Sequence, residues 1–214
     1  MKRRQRGFGL HKVMIALALG LMLLAAASQV FVAAHQSWQL LSTAAHMQDE
    51  ARLVLLRMAQ DIRMAGMFGC LRLQPGDFAE VPARQAFGRP LQVEGTRLSL
   101  VVAELPGQAG APDWFLHTDC LETVRVSKQR QTGYPVVQPV SRYTYQLQGT
   151  KLTFKRADSK AQPLLENVRA MRLERVQMAQ GERIDIALTL YEPMLRLEQQ
   201  HELSVTIRNP VPAS

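Results

Sequence analysis

The only thiols in the chain are Cys70 and Cys120, and the chemistry open to them depends on the compartment that holds them. In an oxidising compartment an even pair is expected to close a disulfide. The loop would hold about fifty residues, and closing it would stabilise the fold by about 4 kcal/mol in the chain-entropy model. The bland alternative is two unrelated buried thiols. Nucleophilic chemistry at Cys120 would need a base, and His117 and Asp119 are close in sequence. Residues three apart on a strand point to opposite faces, however, so the spacing reads against a Cys–His pair and toward a satisfied surface histidine. The remaining histidines (His11, His35, His46, His201) are scattered, with no HExxH pair and no tight metal-ligand spacing. No Gly-x-Gly-x-x-Gly, Walker A or Gly-x-Ser-x-Gly motif occurs. The expectation is a non-enzymatic chain with no catalytic residues, no metal and no cofactor.

Charge gives a second candidate chemistry. The chain holds 26 Lys and Arg against 18 Asp and Glu, a formal charge of +8. Four of those cations (Lys2, Arg3, Arg4, Arg6) sit at the N-terminus, and the excess without them is too mild to argue for nucleic acid. Further on, Arg169, Arg172, Arg175 and Arg183 with Lys151, Lys155, Arg156 and Lys160 define a possible basic face for DNA or an acidic surface. On strands, the simpler expectation is a solvated face.

What must position these residues is dominated by one stretch. After the basic leader, Gly7-Phe8-Gly9-Leu10 opens an apolar run that is unbroken over residues 13–27, interrupted by Ser28 and Gln29, and resumed over 30–34. At ~1.5 Å per helical residue the stretch crosses a hydrocarbon core of ~30 Å, and a backbone in lipid must be helical. The positive charge on its N-terminal side predicts a cytoplasmic leader, with everything after Ala34 outside. Apolar residues then recur in steps of three and four at Leu40, Ala44, Met47, Ala51, Val54, Met58, Ile62 and Ala65. Ser42, His46, Asp49, Arg57, Gln60 and Asp61 fall on the other face. The pattern predicts a single helix from about Phe8 to Met64, ~85 Å long, ended by Gly66 and Gly69. Two helices broken near residues 35–37 are the alternative, although no Pro or Gly sits there. Trp38 reads as an interfacial anchor.

Beyond Cys70 the period changes. Pro75-Gly76-Asp77 and Gly88-Arg89-Pro90 are turn chemistry, with an irregular loop or one short helix between them. Strands are predicted over 96–104, in a strand-turn-strand unit over 114–126, over 142–147 and 151–155 around Gln148-Gly149-Thr150, and over 168–178, 184–191 and 202–208. Residues 106–112 read as a loop. One long helix followed by strands predicts an α+β fold, with the helix packed on an antiparallel sheet. The division is a leader (1–7), a transmembrane segment (8–34), an amphipathic continuation (35–66) and a β-rich domain (67–214).

The basic leader, Gly7, Phe8 and apolar helix resemble the class III signal of type IV prepilins. A membrane peptidase cuts such signals after the glycine and methylates the new N-terminal phenylalanine. The segments Asp61-Ile62-Arg63-Met64-Ala65-Gly66-Met67-Phe68-Gly69-Cys70, Asp119-Cys120, Gln162-Pro163-Leu164-Leu165-Glu166-Asn167-Val168, Ile184-Asp185-Ile186-Ala187-Leu188 and Val205-Thr206-Ile207-Arg208-Asn209 follow in that order. Together they resemble the PilW family of minor pilins. The resemblance implies a pilin fold stored in the inner membrane with its C-terminal domain in the periplasm. It further implies that the chain starts or caps type IV pilus assembly, near the pilus tip. Its partners would then be other minor pilins, assembly components of the inner membrane and the prepilin peptidase. One residue departs from the family pattern: prepilins usually carry a glutamate where this chain has Lys12. A lysine there would repel the neighbouring subunit's N-terminal ammonium, which would suit a tip-most position. Drift, or an extended positive-inside signal, accounts for Lys12 equally well. Two alternatives keep the membrane logic. A pseudopilin of a type II secretion system would look the same. Small-residue sites at Ala25-Ala26-Ala27 and Val32-Ala33-Ala34 would let signal peptidase release a soluble domain.

Overall fold

The computed structural model describes residues 9–105, 110–179 and 181–209. Gly7 and Phe8, the expected processing site, lie outside the described residues, as do residues 106–109 of the predicted loop. The first element is α1, Leu10–Met64, 55 residues without a break. Two serines along it bond to its own carbonyls. Ser28 Oγ donates to the Ala25 oxygen at 2.8 Å, and Ser37 Oγ donates to the Ala33 oxygen at 2.9 Å. The helix stops where expected. Gly66 adopts φ +78°, and a Cβ there would stand 2.9 Å from the Asn209 carbonyl oxygen, so the position favours glycine both conformationally and sterically. Asn209 Nδ2 donates to the carbonyls of Arg63 and Ala65 at 3.3 Å, satisfying acceptors that a helix end leaves without partners.

By its internal contacts the chain divides into two compact units, Met1–His46 and Met47–Ser214. In the first, the described residues are helical from Leu10 onward. Among its described residues the second contains the rest of α1, a 3₁₀ turn at Pro75–Asp77, a short helix α2 (Val81–Gly88) and ten strands. These are β1 (Leu91–Glu94), β2 (Arg97–Ala103), β3 (Trp114–Thr118), β4 (Val124–Ser127), β5 (Val136–Gln148), β6 (Lys151–Arg156), β7 (Gln162–Leu165), β8 (Val168–Met178), β9 (Gly181–Glu192) and β10 (Leu197–Thr206).

Among the described residues the ten strands pair with one another antiparallel, an isolated parallel bridge joins Phe78 to Val126 of β4, and the strands form two sheets rather than the single one expected. The seven-stranded sheet is built on the 13-residue β5, which pairs with β2 along one edge over Val140 to Gln146. Along the other edge β3 and β6 share its length, β3 at the start and β6 at the end. β1 and β4 extend this sheet outward, and β7 pairs with β6. The second sheet has the order β10-β9-β8.

Alternation sorts the side chains. Leu98, Leu100, Val102, Tyr143, Tyr145 and Phe154 face one side of the large sheet and join the main core with Met47, Ala51, Val54, Met58, Ile62 and Ala65 of the helical seam. Leu55 and Ala59 widen that seam. Leu40, read as the start of the seam, is exposed. The inner residues of the second sheet (Ile184, Ile186, Leu188, Leu190) complete the same core. On the opposite face of the large sheet a smaller core joins Ala83, Ala86 and Phe87 of α2 to Val101, Trp114, Leu116, Val126 and Val140. At its centre the Phe87 ring lies 4.3 Å from Phe68, 5.4 Å from Phe78 and 5.6 Å from Trp114, centroid to centroid.

Candidate functional site

The first unit presents an exposed apolar helix surface. The most apolar 18-residue window of α1 has a mean hydropathy of 2.3 and is 0% buried. A contiguous apolar surface of that kind marks a site for lipid or for other protein. By length and composition the helix is able to cross a membrane and is compatible with a single anchor. Lys12 sits in its first turn, exposed, with its backbone N–H donating to the Gly9 carbonyl at 2.8 Å. Toward the end of the apolar stretch the Phe31, His35 and Trp38 rings follow one another on one face at centroid spacings of 6.5 and 6.1 Å.

In the second unit, the cysteines that chemistry would need are bonded to each other. Cys70 and Cys120 form a disulfide with Cα atoms 5.4 Å apart. The turn that presents Cys120 (φ +59°) is held by its neighbours. Asp119 Oδ1 accepts the N–H groups of Leu121, Glu122 and Thr123 at 2.9 to 3.0 Å, and Thr123 Oγ1 donates to its other oxygen at 2.7 Å. These donors hold the Asp119 carboxyl well below the usual carboxylate range, with the Leu121 N–H the largest influence. His117 is not the surface histidine expected. Its side chain is fully buried, its Nδ1 faces the Arg125 carbonyl at 3.3 Å, and its Nε2 accepts the Gln131 N–H at 2.8 Å.

Two polar sites escaped the sequence reading. Asp61 and Arg57, assigned to the solvent face of the helix, flank its buried seam. The Tyr145 hydroxyl on β5 donates to Asp61 Oδ2 at 2.5 Å, and the Arg57 guanidinium stands 4.1 Å above the Phe154 ring. Burial raises the Asp61 carboxyl above its ordinary value although Tyr145 and Arg57 both act to lower it. Burial, helped by the Asp61 charge, also pushes the Tyr145 phenol up, so it stays a donor at neutral pH. The available signal was position alone: Asp61 lies beside Ile62 and three residues after Met58, at the border of the stripe. The second site joins Glu104 and Arg156 through two bonds of 2.6 and 2.7 Å, with side chains 2% and 14% exposed.

The proposed basic face is largely neutralised within the fold. Lys151 pairs with Glu166, Arg156 with Glu104, Arg169 with Glu198, Arg172 with Glu174, Arg175 with Glu182 and Arg183 with Asp185. Arg169 and Arg175 of β8 meet acids on other strands, Glu198 of β10 and Glu182 of β9, whereas Arg172–Glu174 and Arg183–Asp185 are pairs two residues apart on one strand. Among the described residues no cluster of three His, Cys, Asp or Glu side chains is placed to hold a metal ion. An open cleft of about 540 Å³ beside α1 is lined by Glu50, Leu53, Leu164, Glu166 and Asn167 among others. That lining contains no nucleophile and base pair. Comparison with protein-family models, with characterised proteins and with solved structures finds no match to this chain.

Proposed function

We propose that the chain is a minor pilin that initiates or caps type IV pilus assembly together with other minor pilins, and that it works by packing rather than by catalysis. The observation that carries this reading is the contrast within one helix. Its apolar window is wholly exposed, whereas from Met47 it is sealed into the core of a disulfide-bonded β-rich domain. A segment apolar on all sides is suited first to lipid and then to a bundle of other such helices, where side-chain packing and helix–helix contacts drive association. In this reading the peptidase cuts after Gly7 and methylates Phe8, the helix holds the subunit in the inner membrane, and the periplasmic domain selects neighbouring minor pilins near the pilus tip. The resemblance of the leader and of the five ordered segments to the PilW family supports it.

The mature N-terminus tests the proposal. Intact-mass and N-terminal peptide spectrometry of the protein from a host with prepilin peptidase is expected to give N-methyl-phenylalanine at Phe8. A mature chain beginning at Ser28 or His35 refutes it in favour of a secreted domain.

A further inference from the structure

We propose that His117 is an acid-released latch on the loop between β4 and β5, residues 128–135, closed while the imidazole is neutral and opened by its protonation. The hydrogen bonds around the ring admit only one neutral tautomer. The Gln131 N–H, 2.8 Å from Nε2, is only a donor, so Nε2 carries the lone pair. The proton is then on Nδ1, where the Arg125 carbonyl at 3.3 Å is only an acceptor. Each nitrogen has the partner it needs, and the buried ring gains nothing from water.

A second proton destroys this arrangement. It would sit on Nε2 and point at the Gln131 N–H, setting two donors against each other at hydrogen-bond distance. The charged groups around the ring do not stabilise an imidazolium either. Across the register on β4 is Arg125, and the loop itself contributes Arg130 and the phenol of Tyr134, whose ring lies 5.4 Å from the imidazole. On β5 the facing residue is Val137. The carboxylate of Asp119, two residues along the chain, is occupied by its own turn. Burial first, and the two arginine charges with it, lower the affinity of His117 for a proton, against the opposing influence of the Arg125 carbonyl.

The loop is the part free to yield. It is mostly exposed, turns through Gly133 at φ +98°, and is otherwise tied by the Ser127 hydroxyl on the Gln129 carbonyl and by an exposed Lys128–Glu80 pair. The sign follows from linkage. The closed loop binds the proton less tightly than the open one, so closure is fully favoured above the ordinary histidine value of 6.5 and is lost as pH falls below it. The opening equilibrium grows by up to about tenfold per pH unit in that window.

Hydrogen–deuterium exchange of the full-length protein in detergent, between pH 7.5 and 4.5 and corrected for intrinsic exchange, tests the latch. Peptides covering 128–135 are expected to gain exchange as pH falls below about 6.5, while β8 and β9 stay unchanged. His117→Gln keeps a side-chain acceptor but does not titrate, and is expected to abolish the pH step. A loop whose corrected exchange is the same at both ends of the range overturns the proposal, as does a step that survives in His117→Gln. If that variant does not fold, nitrogen NMR of the wild-type ring decides. The proton on Nδ1 at pH 7.5 and a titration midpoint below 6.5 support the latch, and the opposite tautomer or a higher midpoint overturns it.

Discussion

Replacing Tyr145 with Phe removes one oxygen atom and leaves the ring packing intact, which isolates the polar tie between α1 and the large sheet. The ring is fully buried against Phe154, with centroids 5.0 Å apart, so the substituted side chain fills the same space. What disappears is the 2.5 Å bond to Asp61, whose carboxylate is left in a desolvated position with one donor fewer. A hydrogen bond to a charged group contributes ~1.5–3 kcal/mol. For a domain of this size each kcal/mol moves the melting temperature by about 2–4 °C, so a fall of roughly 3–12 °C is expected at pH 7. The pH dependence gives the test its direction. Because the folded pKa of Asp61 is raised above 3.8, its contribution is complete below that value and is lost as pH rises through the folded pKa. Tyr145 acts to lower that pKa, so Tyr145→Phe raises it further and extends the loss to higher pH. The deficit of the variant against wild type should therefore be largest near neutrality and shrink in acid. In an Asp61→Asn background, where nothing titrates, Tyr145→Phe should cost only about 1 kcal/mol, independent of pH. Calorimetric melting of the detergent-solubilised chain and the three variants at pH 7 and pH 4.5 measures all of this. A Tyr145→Phe protein melting within about 1 °C of wild type at pH 7, or a deficit that grows in acid, refutes the reasoning.

Two further outcomes follow from the covalent and ionic ties. Cys70→Ser with Cys120→Ser opens a loop of 50 residues, and a loss of about 4 kcal/mol is expected from chain entropy. The double variant should melt far below wild type under non-reducing conditions and close to it once reductant is added to both. Glu104→Gln leaves Arg156 largely buried without its charge partner and should cost about 3–5 kcal/mol in denaturant unfolding, whereas Glu104→Leu with Arg156→Met should cost much less.

The long helix, its end at Gly66 and the hairpin at Gly149 were legible in the sequence because each depends on local chemistry: apolar period, glycine conformation and turn residues. β8 matches its expected bounds of 168–178 for the same reason. Other features depended on partners far away in the chain. β7 contains Pro163, which argues against a strand until its place as the last strand beside β6 removes the need for a second ladder. β1 is four residues behind a proline turn, too short to show alternation, and is fixed by its register on β2. Asn167 takes φ +57° in the turn between β7 and β8, where the chain passes from one sheet to the other, and its identity alone does not specify that turn. Asp61 and His117 were misplaced for a common reason: period arguments assign polar residues to solvent, and both are held inward by a donor or acceptor distant in sequence, Tyr145 in one case and Gln131 in the other.

Directional polar contacts also tie α1 to the rest of the domain. Apolar burial alone is non-directional and would let α1 slide or rotate on the sheet. Directional polar contacts at its end restrict it: Asp61 to Tyr145 sets its rotation, and Asn209 on the Arg63 and Ala65 carbonyls sets where it stops. No such directional contact is needed in the apolar window, which has no buried side and no preferred face. A helix so divided can change its apolar surroundings without disturbing the domain core, because none of the core residues comes from the exposed window.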